Sequence, residues 1–98
     1  MARRRSFKQP KQFVVRQVHG DAMAPELVDG QLVICRQTTE LHMGDIVLVS
    51  KDGQESIQRI VRSQGNVLYK VATNLSELEE GSWLAAKYLV AKVVWPTV

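Results

Sequence analysis

The stretch Val18-His19-Gly20-Asp21-Ala22-Met23-Ala24-Pro25-Glu26-Leu27-Val28-Asp29-Gly30-Gln31-Leu32-Val33 decides how this chain folds. An alternating run, Phe13 to Val18, leads into it, and an apolar run, Gln31 to Cys35, leaves it. Both runs read as strands. Between them stand two Gly, two Asp and a Pro, residue types that turn a chain tightly. Residues 19–30 are therefore an ordered loop between strands.

Outward from that loop the pattern repeats. Leu32 to Cys35 is continuously apolar and predicts a strand buried on both faces or nearly so. Ile46 to Val49 predicts another. Lys51-Asp52-Gly53-Gln54 is a hairpin turn, because Asp-Gly suits positive φ. Ser56 to Val61 alternates and returns as a strand. A second turn, Ser63 to Asn66, leads to a strand over Val67 to Ala72. Asn74 to Trp83 reads as an acidic loop with a helical turn over Ser76 to Glu80. Leu84 to Val94 reads as one last strand region, ended by Pro96. Closely spaced strands with Gly-bearing turns predict an all-β, mostly antiparallel domain. Residues 1–12 lack periodicity and read as a flexible basic arm; residues 13–98 form the domain.

The length of 98 residues suits one domain with a modest core. The lone cysteine, Cys35, excludes an internal disulfide and reads as a small core residue. That fits a reducing, cytoplasmic setting. No apolar run approaches the roughly 18 residues that span a bilayer, so no membrane partner is expected. The charges near the N-terminus have no apolar h-region after them, which argues against a secretory signal. Charge is uneven. Arg3, Arg4, Arg5, Lys8, Lys11 and Arg16 meet no acid in residues 1–16, whereas the rest of the chain holds seven bases and ten acids. A basic arm on a mildly acidic body is either a solvated tail or a contact for nucleic-acid phosphates.

The pattern Val18-x-Gly20-Asp21-Ala22-Met23-x-Pro25-x-Leu27-x-Asp29-Gly30-x-Leu32-Val33 resembles the active-site motif of serine–lysine peptidases, the LexA-type and UmuD-type self-cleaving proteins and type I signal peptidases. Gly44-Asp45-Ile46-Val47 is similar to their second box, and Ile57-Gln58-Arg59-Ile60-Val61 to their lysine box. The resemblance spans about Phe13 to Val94 and implies the compact β-fold of LexA C-terminal domains and signal peptidases. It also implies a nucleophilic Ser at position 22 and a general-base Lys at position 58. This chain has Ala22 and Gln58 there. Alanine has no hydroxyl to attack a carbonyl, and a glutamine amide takes no proton near neutral pH. The expectation is a pseudo-peptidase that binds a protein partner or dimerises, in a regulatory setting. One alternative is a peptidase in which serine has been exchanged for Ala22 and lysine for Gln58. Another is nucleic-acid binding through Arg3, Arg4, Arg5, Lys8 and Lys11. About a dozen residues precede Phe13, and none resembles the Ala-Gly or Cys-Gly cleavage sites of the self-cleaving members, so cleavage in cis is not expected.

Other residues have plainer readings. Gly20, Asp21, Met23, Pro25, Asp29 and Gly30 shape the vestigial site loop, with Met23 as core packing. His19, Cys35 and His42 match no compact zinc spacing, so neither metal nor cofactor is expected. Trp83 and Trp95 read as core or interface packing. Leu89 to Trp95 is β-prone, with Lys92 as its one charge. As an open edge it needs cover. LexA-type proteins pair through their C-terminal strand region. The resemblance thus implies a homodimer through Val90, Lys92, Val93 and Trp95.

Overall fold

The computed structural model describes residues 12–74 and 81–96. Seven strands form one antiparallel sheet: β1 (Phe13–Gln17), β2 (Leu32–Arg36), β3 (Ile46–Lys51), β4 (Gln54–Gln64), β5 (Leu68–Ala72), β6 (Ser82–Ala85) and β7 (Leu89–Trp95). Their order in the sheet is β1-β2-β7-β3-β4-β5-β6. The mostly antiparallel all-β expectation is met. The β3–β4 hairpin turns at Asp52 and Gly53 with φ of 55° and 78°. Asp is among the few side chains that tolerate that conformation, which is why Asp-Gly marked this turn.

Successive residues of a strand face opposite sides of the sheet. On β3, Ile46 and Leu48 join one core with Val18, Met23, Leu27, Val33, Cys35, Ala91 and Val93. Val47 and Val49 join the other, with Leu41, Ile60, Tyr69, Val71, Leu84 and Leu89. All four apolar residues of β3 are buried, as an uninterrupted apolar run predicts. The first core lies beneath the 18–30 loop and the second in the curl of β3 to β6.

The structure corrects three expectations. β2 is not buried on both faces: Val33 and Cys35 are fully buried, but Leu32 is 55% exposed. At the β1–β2 end of the sheet, among the described residues, only one face has a core against it. The last strand region is two strands, β6 and β7, broken by a 3₁₀ turn at Ala86–Tyr88. The chain must cross there from the sheet's far edge to a place between β2 and β3. Both strands are apolar enough that the break leaves no mark in the hydrophobic pattern. Finally, β7 is no open edge, because it pairs with β2 and with β3. Val93 is core and Val90 half-buried, while Lys92 Nζ lies 3.6 Å from Asp45 Oδ2. Of the four residues expected at an interface only Trp95 is well exposed. The sheet's edges are β1 and β6.

Candidate functional site

The 18–30 loop is tied at its base by two backbone bonds, Val18 N–H to Gln31 O and Gly30 N–H to Val18 O, both 2.8 Å. Gly20 and Gly30 sit at φ of 83° and 87°, where a Cβ would be strained. Between them the Asp29 carboxylate accepts the Gly20 N–H at 2.7 Å. Asp21 contributes its carbonyl, which accepts from the Ala24 N–H at 3.1 Å. Leu27 N–H returns to Met23 O at 3.0 Å. That turn drops Met23 and Leu27 into the first core, where both are essentially inaccessible. Pro25 stays at the surface. Gly, Asp and Pro thus build the turn, and the two apolar residues anchor it.

Asn74, just past β5, holds the loop from outside. Its backbone N–H donates to Ala22 O at 2.9 Å. Its side-chain amide lies 3.0 Å from the carbonyls of Met23 and Ala24 and 2.5 Å from Glu26 Oε1. Glu26 Oε2 lies 3.6 Å from Arg59 Nη2, and Arg59 Nη1 donates to Gly44 O at 3.0 Å. This chain of contacts ties the Ala22 turn, the Gly44-Asp45 turn and β4 into one unit.

Ala22 is half-buried and lines a cleft of about 330 Å³ with Val18, Met23, Leu48, Ile57 and Thr73 among its walls. Arg16 from β1 and Glu55 from β4 also line it. They form a two-pronged ion pair, Nε to Oε1 at 2.6 Å and Nη2 to Oε2 at 3.0 Å. The hydrogen bonds from Arg16 hold the Glu55 carboxyl below its ordinary pKa, and Glu55 raises that of Arg16. Burial pushes the Cys35 thiol up, as suits a core cysteine.

Gln58 turns its amide to Ser56 Oγ at 2.9 Å and lines a second, more polar groove of about 600 Å³ with Lys51, Gln54, Ser82 and Trp83. Positions 22 and 58 therefore line different depressions, with Glu55 and Ser56 common to both. Trp83 and Trp95 are both about half exposed, so the core reading of either is corrected. Among the described residues no three His, Cys, Asp or Glu side chains gather as a metal would require, and no helix is long and apolar enough to cross a membrane. Arg3, Arg4, Arg5, Lys8, Lys11 and the helical turn at residues 76–80 lie outside the described residues. Arg16, counted among the bases of residues 1–16, belongs to β1 and the cleft.

Sequence reasoning missed Asn74, Arg16 and Glu55 as site residues. Nothing in the local pattern of any of them names a partner 39 or more residues away. Against known proteins, a family model described as Peptidase S24-like matches residues 1–80. No curated protein matches.

Proposed function

This chain belongs to the Peptidase S24-like family, and from that premise we propose that it is a non-catalytic member which works by binding and by self-association. The observation that carries the reading is the chemistry at positions 22 and 58. Ala22 stands where the family's motif has its nucleophile, and it has no atom that can form an acyl bond. Gln58 stands where the motif has its base, and its amide is occupied with Ser56. The backbone around Ala22 is nonetheless held in place by Asn74, Asp29 and the core side chains of Met23 and Leu27. A site kept in shape without its reactive groups is a binding surface.

Self-association is supported by the outer side of β1, β2 and β7. Val15 pairs with Ile34, and Ile34 with Trp95, so the three share one face. Phe13 and Leu32 flank them on the same side by alternation. Phe13, Val15, Leu32 and Trp95 are each 44–55% exposed. A contiguous exposed apolar patch of this kind marks a protein contact. The homodimer expected through Trp95 is retained, with the side chains of this face in place of a free β7 edge. Sedimentation of the whole chain tests it. A dimer at about 100 μM is expected, well above the micromolar affinity of an ordinary weak interface; a monomer at that concentration contradicts it.

A further inference from the structure

The cleft beside Ala22 has an apolar floor and a charged rim. Met23 and Leu48 belong to the first core, and Ile57 packs against it. Arg16 and Glu55 close the rim although their strands are four places apart in the sheet, with β2, β7 and β3 between them. The sheet curls until β1 and β4 face each other, and the ion pair spans the gap. The two side chains are 39% and 40% exposed. A pair so open to water is weakly held, so it is readily exchanged.

Its two halves are not equally fixed. Arg16 Nη1 donates to the carbonyl of Val15 at 3.0 Å, which holds the guanidinium against its own strand. Glu55 lies beside the exposed hairpin turn at Asp52-Gly53, and residues 51–56 are all exposed. When the pair opens, Glu55 turns to solvent at little cost. Arg16 is left as a planar fork of donors aimed at the cleft, a geometry that matches a carboxylate.

We infer that the cleft binds an apolar carboxylate, its hydrocarbon group on Met23, Leu48 and Ile57 and its carboxylate on Arg16 in the place Glu55 now occupies. The volume of about 330 Å³ is at the small end of ligand pockets and suits one branched or aromatic group. Glu55 then serves as a built-in competitor that occupies the Arg16 guanidinium until such a ligand arrives. This deepens the binding reading and rests on it. The same chemistry is offered by a free branched-chain acid and by the C-terminal carboxylate of a polypeptide ending in an apolar residue.

The test is a titration of the whole chain followed by the methyl resonances of Met23, Leu48 and Ile57. The probes are isocaproate and N-acetyl-leucine, with isocaproamide and N-acetyl-leucinamide as uncharged counterparts. Each carboxylate is expected to bind about tenfold more tightly than its amide, the difference one charge-assisted fork supplies. Arg16→Gln should remove that preference, Arg16→Lys should keep part of it, and Glu55→Gln should strengthen carboxylate binding several-fold. Tighter binding of N-acetyl-leucine than of isocaproate supports a chain terminus as the source, and the reverse order supports a free acid. Equal binding of acid and amide, no methyl shift with any probe, or a preference that survives Arg16→Gln overturns the inference. Conversion of N-acetyl-leucinamide to the acid in the same spectra overturns the non-catalytic reading instead and leaves the carboxylate preference standing.

Discussion

β1 presents two surfaces from one strand, and they are finished differently. Val14 and Arg16 face inward: Val14 packs on the first core and Arg16 ties the strand to Glu55 across the cleft. Phe13 and Val15 face outward and stay about half exposed, beside Leu32 and Trp95. The inward side is satisfied within the chain, by packing and by charge. The outward side is apolar and, among the described residues, has no core laid over it. Alternation along a strand thus separates a small-molecule-sized cleft from an exposed apolar face.

The widest contrast is in stability. Leu27→Ala empties a fully buried position beneath the site loop and should cost about 2–5 kcal/mol. Val15→Ala on the outer side should stay within about 0.5 kcal/mol for the monomer, as surface changes do. Chemical denaturation of both variants checks the pair, and equal losses would erase the distinction. Next in size is Asn74→Ala. It removes the side-chain contacts to Met23 O, Ala24 O and Glu26, and should cost about 1–3 kcal/mol. Amide exchange should rise around residues 22–26 and stay unchanged in β1; uniform exchange would deny the clamp.

The outer side is sharpened by Trp95→Glu. Putting a charge on the apolar face should weaken self-association at least tenfold, about 1.4 kcal/mol, with the fold intact. Unchanged sedimentation would move the interface elsewhere. Val93, expected at the interface from the sequence, is core, so a charge there would test packing and not association.

The smallest effect is at the rim. Glu55→Gln should change stability by roughly 0–1 kcal/mol, since the pair is well exposed. The carboxyl's pKa is lowered in the folded chain by Arg16. Its contribution is therefore fully present above the ordinary unfolded value of ~4.3, and is lost as pH falls through the lower folded one. Wild type and variant should differ at neutral pH and converge in acid. A gap that widens on acidification would contradict the pairing.

How much of this was legible in the residues follows from the range of the forces. The site loop was, because Gly20, Asp21, Pro25, Asp29 and Gly30 act on neighbours within the same turn. β3 was, because burial on two faces writes a continuous apolar run. The place of β7 was not. Nothing in Leu89 to Trp95 says whether one partner strand or two lie beside it, and a chain's last strand need not be the sheet's last. β2 misled for a related reason: Leu32 and Ile34 face the outer side, where Leu32 is exposed and Ile34 half-buried, and not a second core. Arg16, Glu55 and Asn74 find their roles only when the sheet curls, so their sequence neighbours carry no sign of it.

The central claim is that the Ala22 cleft binds without covalent chemistry. The most direct measurement is the intact mass of the whole chain after prolonged exposure to a fluorophosphonate, a reagent whose phosphorus takes the oxygen of an activated serine as fluoride leaves. The expected result is an unchanged mass, because Ala22 offers no hydroxyl and Gln58 no base. A single phosphonyl adduct that maps to residues 20–30 would contradict it.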